Sequence, residues 1–255
     1  MALAGERLIG YCLSHHWGSL GWIGPVVVEP EWQGRGIGRA LTEPVVQALQ
    51  ADGCATIALE TWPQHLPNIQ FYLRLGFTPL SSVFILEKAA EPASVEPGGV
   101  RLGPRVDRRA ALNGLRHLSQ SVSAGLDYSP AAEVTLACGL GEAIVWGDVD
   151  QPWAAALVHT ASQVQSPPPA WLEVFLLIVR PGHESRLGLC LAELQSYAAS
   201  LGRRAIRLAV CACHPAGLLE LVRDRGCEIV KSRLRMVLQH VPVNPATVDY
   251  VSFGI

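Results

Sequence analysis

The sequence contains few lysines and no long apolar run. Lys88 and Lys231 are its only lysines, and the 20 Lys and Arg residues nearly balance the 22 Asp and Glu residues, which leaves a net charge of −2. A chain so close to neutrality, with an isoelectric point near 6.4, lacks the excess positive charge that binds nucleic acid or anionic membranes. It also has no run of the roughly 20 apolar residues that a membrane-spanning helix needs. We therefore expect neither nucleic acid nor membrane as a partner.

Signals for export and for metal binding are missing as well. Residues 1–13 lack the basic flank and long apolar core of a secretory signal peptide, so we expect a cytoplasmic protein. Most of the seven cysteines stand singly in apolar runs, which is typical of reduced core cysteines. These single residues are Cys12, Cys54, Cys138, Cys190 and Cys227. Cys211, Cys213 and His214 have no second ligand pair at zinc-site spacing, so we expect no metal.

The chain is long and apolar enough to form two domains. Its 255 residues are 49% hydrophobic, with a mean hydropathy of +0.25, which provides for a substantial core. A stretch rich in proline, glycine and small residues, from Ala89 to Gly99, is typical of a linker. We therefore expect domains at residues 1–91 and 100–240, a linker at 92–99, and a tail at 241–255 that includes a strand.

A glycine-rich loop, Gln33-Gly34-Arg35-Gly36-Ile37-Gly38, lies between a predicted strand and a predicted helix. The β-branched run Gly24–Pro30 before it is typical of a buried strand. After the loop, apolar residues recur at helical spacing at Ile37, Leu41, Val45 and Leu49. Backbone N–H groups and the helix dipole at such a junction attract anions, which favours a phosphate site. A dinucleotide fingerprint is excluded because Arg39 stands at its third glycine, and a P-loop is excluded because Gly-Lys-Ser/Thr is absent.

A second motif follows at Asn68–Phe77. It comes after a predicted strand at Thr56–Glu60 and forms a short amphipathic helix that ends at Gly76. Together with the glycine loop, its pattern Phe71-Tyr72-x-x-x-Gly76-Phe77 resembles the GCN5-related N-acetyltransferase (GNAT) superfamily, in the family's order and spacing. The two motifs span roughly the first ninety residues. Asn68 departs from the family, which usually has alanine there, and His65 stands where the family often has asparagine.

The resemblance implies an α/β fold of the α+β type, with tandem acyl-CoA N-acyltransferase-like domains whose mixed sheets are flanked by helices. It also implies acetyl-CoA as co-substrate, with the pyrophosphate on the loop amides and the pantetheine amides paired to a strand. Carried over by position, the cofactor-binding residues are Val26, Val27, Val28, Gln33, Gly34, Arg35, Gly36, Ile37, Gly38, Arg39, Ala40 and Asn68. The implied reaction is direct transfer of an acetyl group to an amine, on a small molecule or a peptide.

Tyr72 is the predicted catalytic residue, because a tyrosine at this position in the family often protonates the departing CoA thiolate. The general base stays unassigned: the strand before the loop carries no carboxylate, and deprotonation through water is equally compatible. Four residues are candidates for the base, namely Glu29, Glu60, His15 and His16. Each is more typical of a solvated or structural residue. Four tryptophans near the acyl end either line an acceptor pocket or simply pack; they are Trp17, Trp22, Trp32 and Trp62.

A non-catalytic acyl-CoA-binding or regulatory module is the alternative function, and a ligand-free scaffold is disfavoured by the intact loop.

The pattern of the first half returns about 150 residues later, without its chemistry. Val174–Pro181 echoes the strand before the loop, but Glu184 replaces Gln33 and Leu187 replaces Gly36. Leu189 and Val222 stand at the positions of Gly38 and Tyr72. A carboxylate repels a pyrophosphate and branched side chains block close approach of the backbone, so we expect a degenerate domain and one CoA site per chain.

The second half has the family's full β-α-α-β-β-β-α-β-α-β order, whereas the first half starts at the third strand, Leu8–Leu13. We therefore expect this strand to lie near an open sheet edge, which is an aggregation hazard unless something covers it. Three candidates remain: the alternating tail segment Val248–Phe253, the region Ser119–Pro130, and a second chain in a homodimer. We favour packing of the two halves together, with the second half or its tail completing the acceptor side.

Overall fold

The computed structural model describes residues 1–92, 98–103, 106–160, 170–239 and 249–251. In chain order its main elements are β1 (Ala2–Ala4), β2 (Arg7–Trp17), β3 (Leu20–Val28), α1 (Ile37–Ala51), β4 (Thr56–Thr61), α2 (Leu66–Arg74), β5 (Thr78–Ala89), β6 (Gly99–Arg101), α3 (Arg108–Val122), α4 (Ser129–Ala137), β7 (Gly141–Asp148), β8 (Gln151–His159), β9 (Trp171–Val179), α5 (Leu187–Ser200), β10 (Ala205–Cys211), α6 (Pro215–Leu219), β11 (Glu228–Gln239) and β12 (Asp249–Val251). None of the described helices is long and apolar enough to cross a bilayer.

The chain forms two compact units that are not contiguous in sequence. Among the described residues, the first unit contains 1–81 and 233–239, and the second contains 82–232 and 249–251. This division differs from a boundary at residues 92–99, because β5 and β11 each begin in one unit and end in the other. The strand β5, which the sequence pattern did not predict, therefore contributes residues to both units.

The first unit has a mixed sheet with strand order β1-β2-β3-β4-β11. The central pair β3–β4 is parallel, and the outer pairs are antiparallel. The late strand β11 runs beside β4 with Leu234 opposite Thr61 and Met236 opposite Leu59. Met236 is fully buried and joins a core whose other members come from the first eighty residues. These are Ile23, Leu49, Cys54, Ile57, Leu59, Tyr72 and Phe77. A segment far along the chain thus completes the first unit.

The strand at Leu8–Leu13 is covered over only part of its length, up to Gly10. It belongs to β2, and the chain's own first residues form β1 beside it, with Leu3 opposite Leu8 and Ala4 opposite Arg7. The expectation that the tail covers this edge is wrong, since the tail strand β12 pairs with β9 in the second unit. The region Ser119–Pro130, the other candidate cover, joins α3 to α4, and these helices pack on β7 and β8 of their own unit.

The second unit has a mixed sheet with strand order β5-β10-β9-β8-β7-β6, and β12 pairs with β9. Its element order from β6 to β11 is the predicted one. The helix expected at Leu218–Gly226 differs, because α6 starts earlier and gives way to a π-helical turn over Glu220–Asp224. The buried core packs α5 on the sheet through Cys190, Leu191 and Leu194.

The cysteines depart in part from the expected reduced core positions. Cys12, Cys54, Cys138, Cys190 and Cys227 are free thiols. Cys138 is exposed rather than buried, and Cys211 and Cys213 form a disulfide. Within the described residues, no group of three His, Cys, Asp or Glu side chains is arranged to hold a metal ion.

A fragment of residues 1–91 is expected to aggregate or stay unfolded. It lacks β11, so one side of β4 loses its ladder partner and the core loses Met236. Circular dichroism and light scattering measure the outcome, and co-expression of a segment containing residues 228–242 is the rescue control. A soluble, cooperatively folded fragment without that segment would show that β11 is dispensable.

Candidate functional site

The glycine loop presents an open backbone surface. Gly34 and Gly36 adopt left-handed conformations, with φ of +75° and +81°, which favour glycine. A Cβ placed at either position would meet no atom within 4 Å, so space for a ligand lies directly over the backbone. Gln33 anchors the loop to the end of β3 because its Nε2 donates to the carbonyl oxygen of Val28 at 2.9 Å. Helix α1 then begins at Ile37 with no side-chain cap, which leaves its N-terminal dipole to attract an anion.

A cavity of about 440 Å³ lies against this loop. Most of the residues predicted to bind the cofactor line it, namely Val26, Val28, Gln33, Gly34, Gly36, Ile37, Gly38, Arg39 and Asn68. Val27, Arg35 and Ala40 do not line it; Val27 is 39% exposed, and the Arg35 guanidinium lies 4.9 Å from the Trp32 ring centroid.

Four further residues line this cavity. Trp32 is one of the tryptophans considered as pocket-lining residues, whereas Phe71, Arg74 and Leu75 were missed as site residues. Arg74 and Leu75 follow Phe71 by three and four residues, so the helical spacing of α2 could have identified them.

A second cavity opens where β3 and β4 part. The two strands pair over only three residues, Leu20–Trp22 against Thr56–Ala58, while β3 continues to Val28 beside β2. The resulting cavity, of about 210 Å³, is lined by both strands and by α2. Val26, Asn68 and Tyr72 line this cavity and the larger one, so the two adjoin at these residues. The loop at the end of β3 and the opening beside β3 thus form one continuous site.

Tyr72 lies at the junction of the two cavities. Its side chain is 8% exposed and makes edge-on contacts with Phe71 and Phe77 at 5.0 and 6.0 Å between ring centroids. Burial, and to a lesser degree the nearby Cys12, raise the pKa of Tyr72 to about 12. The phenol is therefore protonated throughout the neutral range and available as a proton donor.

A buried ion-pair cluster forms one end of the smaller cavity. Glu60 on β4 accepts from Arg235 through Oε1 at 2.8 Å and from Arg233 through Oε2 at 3.2 Å. The three side chains are only 4–13% exposed. The two guanidinium groups also lie over the rings of Trp22 and Trp62, at 5.4 and 5.7 Å. Arg233 lines the cavity but was missed. It lies on β11, some 170 positions after Glu60, and no residue near Glu60 in the sequence indicates this contact.

None of the four weighed base candidates is poised as a base. The two oxygens of Glu60 are engaged by the arginines, and Glu29 forms an ion pair with Arg7 at 2.6 Å. His15 and His16 lie on β2 in the β2–β3 hairpin, opposite Trp22 and Gly21. His15 stacks on Trp17, with a pKa lowered by burial, and His16 Nε2 lies 2.9 Å from the Gly18 carbonyl oxygen. Of the four tryptophans, Trp22 and Trp62 line the smaller cavity, Trp32 lines the larger one, and Trp17 packs.

The corresponding loop of the second unit is closed. It forms a 3₁₀ turn at Glu184–Arg186 instead of an open glycine loop. Glu184 Oε1 accepts from the Gly182 N–H at 2.9 Å, so a carboxylate already binds a loop amide. Leu187, at the position of Gly36, is 1% exposed and packs in the core. The Arg225 guanidinium covers Gly188, so that a Cβ there would clash with it.

Comparison with known proteins agrees with this geometry. Residues 1–77 match the model of the acetyltransferase (GNAT) family. This segment contains both motifs, so the resemblance inferred from them is confirmed for residues 1–77. A relative from Arthrobacter sp. (strain FB24), named mycothiol acetyltransferase, is 40% identical over 60 residues. That match covers 24% of this chain and only 19% of the relative.

Solved structures extend the likeness of fold to nearly the whole chain. A tandem GNAT protein from the clavulanic acid biosynthesis pathway matches with a TM-score of 0.56 and 15% identity, over 95% of this chain and 82% of that one. An acetyltransferase structure from Pyrococcus horikoshii matches with a TM-score of 0.63 and 17% identity, over 96% of this chain and 75% of that one. Both units therefore have the acyltransferase fold expected from the sequence.

Replacing Glu60 with Gln is expected to destabilise the protein by about 3 kcal/mol or more, because two buried guanidinium groups lose their carboxylate. Glu43→Gln is the control, since Glu43 pairs with Arg39 on the exposed face of α1 and such a pair contributes only about 0.5 kcal/mol. Denaturant unfolding measures both changes. Equal effects of the two substitutions would contradict a structural role for the cluster.

Proposed function

We propose that the first unit transfers an acetyl group from acetyl-CoA to an amine on a small molecule or a peptide. The observation that carries this proposal is Tyr72 at the junction of two cavities, one against the open glycine loop and one between diverging strands. The GNAT match of residues 1–77 supports the same reaction class. The activity of the whole protein is part of this proposal, because the relative named mycothiol acetyltransferase matches only a short segment.

The residues present fit a CoA-like ligand. The open space over Gly34 and Gly36 suits a pyrophosphate, which the loop N–H groups and the start of α1 would hold. Arg39 and Arg74 line the same cavity and add positive charge near that anion. Along β3, the backbone of Val26–Val28 has no β4 partner and can pair with the amides of an extended pantetheine. This arrangement leads from the loop to Tyr72.

The chemistry asked of the chain is modest. When bound, acetyl-CoA supplies an activated thioester. The amine nitrogen forms a new bond to its acetyl carbonyl carbon as the C–S bond breaks. Tyr72 donates its phenolic proton to the departing sulfur, and the amine proton passes to solvent. The site's main contribution is to hold amine and thioester in line and to exclude water around them. Trp22 and Trp62 at the smaller cavity provide apolar walls for the acceptor.

A non-catalytic acyl-CoA-binding module is the second candidate, favoured by one observation. Among the described residues that line the two cavities, Glu60 is the one carboxylate, and two arginines engage it. No side chain is therefore poised to deprotonate an ammonium ion, and an acceptor must arrive as the free amine or lose its proton to water. Turnover with amines separates the two functions, because the module would bind acetyl-CoA without releasing CoA thiol.

Gly36→Ala is expected to weaken CoA binding at least about tenfold, because its Cβ enters the space reserved for the anion. The matched control is Gly53→Ala, at φ +82° and equally open space but at the far end of α1. Both variants should lose about 1 kcal/mol of stability from the left-handed conformation. Calorimetric titration should give one site per chain for wild type and for Gly53→Ala. Two equal sites, or equal affinities of the two variants, would contradict the assignment.

Tyr72→Phe is expected to lower turnover by about 10²-fold while leaving acetyl-CoA affinity nearly unchanged, since it removes only the proton donor. A panel of amino acids, polyamines, aminoglycosides and peptides, assayed by release of CoA thiol, supplies a working acceptor. Tyr197→Phe is the control, because Tyr197 in the second unit is also buried with its pKa raised to about 12.

The pH profile of the same reaction tests the protonation state of Tyr72. With its pKa raised to about 12, the donor form persists, so the rate should rise with pH as an amine of pKa about 10 loses its proton. No decline is expected below about pH 10. Unchanged turnover in Tyr72→Phe, or a decline near about pH 8, would remove Tyr72 from the mechanism.

A further inference from the structure

The second unit repeats the strand divergence of the first. Its parallel strands β9 and β10 pair only from Trp171 opposite Ala205 to Val174 opposite Leu208. Beyond Val174, β9 continues to Val179 beside β8 without β10. The same opening that forms a cavity in the first unit therefore exists here between β9 and β10. We call it the second cleft.

The tail strand β12 lies in the second cleft. Asp249, Tyr250 and Val251 pair antiparallel with Ile178, Leu177 and Leu176 of β9. On its other side β12 contacts β10. A segment at the end of the chain thus supplies the backbone partner that β10 ceases to provide after Leu208. Without it, buried N–H and C=O groups on this side of β9 would lack a hydrogen-bond partner.

The internal repeat shows what β12 replaces. A shift of 151 residues places Pro181 on Pro30 and Trp171 on Leu20, the first residues of the two parallel pairings. The same shift places the tail-paired residues Leu176, Leu177 and Ile178 on Pro25, Val26 and Val27. These are positions of β3 without a β4 partner, and Val26 and Val27 belong to the strand proposed to pair with pantetheine.

Burial differs between the equivalent positions. Val27 is 39% exposed and Val26 is partly exposed, whereas Leu177 and Ile178 are completely buried. The second cleft holds β12 at the positions where β3 has no β4 partner, and the side chains of β9 there are covered on the faces of the sheet.

We propose that the second cleft is a strand-binding site whose resident occupant is the chain's own C-terminal tail. The tail takes the place that an extended cofactor would take in the first unit. This comparison rests on the proposed function, whereas the pairing of β12 with β9 does not depend on it. A cleft of this kind recognises backbone amides by strand addition and is selective for an extended peptide rather than for an anion. The closed Glu184–Arg186 turn beside it is consistent with that change of ligand.

The test uses two variants of the full protein, one ending at Val248 and one carrying Tyr250→Pro with Val251→Pro, which removes two backbone donors. Hydrogen exchange is measured on β9. Those amides of Leu176–Ile178 that donate to β12 should exchange at least about tenfold faster in both variants, whereas the alternate amides that donate to β8 should change less. The amides of Val26 to Val28 on β3 are the internal control and should not change. This readout does not involve CoA, so it stands or fails separately from the proposed function.

A synthetic peptide of residues 246–255 should restore protection to the truncated variant, and the same peptide with both prolines should not. If truncation also loosens α3 and β7, restoration by the native peptide still supports the proposal, and failure of restoration contradicts it. Unchanged exchange on β9 in both variants would overturn it, as would equal restoration by the two peptides.

Discussion

Two parallel strands that part after a few residue pairs leave backbone donors and acceptors without a ladder partner, and the site depends on this constraint. In the first unit β3 leaves β4 after Trp22, and the smaller cavity lies at that point. The loop that follows β3 brings the start of α1 to the same side, and α2 brings Tyr72. The two cavities therefore combine unpaired backbone of β3 and open backbone at Gly34 and Gly36 with side chains from α2 and β4.

The charged residues at the smaller cavity have a structural role. One carboxylate, Glu60, faces two guanidinium groups, and all three are almost withdrawn from water. Such a cluster is costly to break, because any lost partner leaves a buried charge without its counterion. It also fixes Arg233 at the cavity and positions it over Trp62. The smaller cavity thus has aromatic faces beside a local excess of one positive charge.

Local patterns predicted the loop and the helices that border the two cavities, but they did not predict the distant strand pairings. Dihedral preferences and helical spacing within a few residues determine the glycine loop, the start of α1 at Ile37 and the helix around Tyr72. Such local features can be predicted from the sequence. The pairing of β11 with β4 and of β12 with β9 depends on which strand edge is available after the whole chain folds. The alternation of residues within a strand does not identify which distant strand will pair with it. Arg233 was missed for this reason, and the tail, predicted as a strand and as one of three candidate covers for Leu8–Leu13, pairs with β9 instead.

The contribution of β11 to the first unit also bears on how the protein is made. A nascent chain that has just cleared the glycine loop and Tyr72 has all the residues of the proposed chemistry but not the strand that covers β4. That strand emerges about 170 residues later, at a synthesis rate of roughly 5–20 residues per second. For several seconds the sheet has a vacant, apolar edge beside Leu59. The first unit therefore completes its sheet only after most of the second unit has been translated.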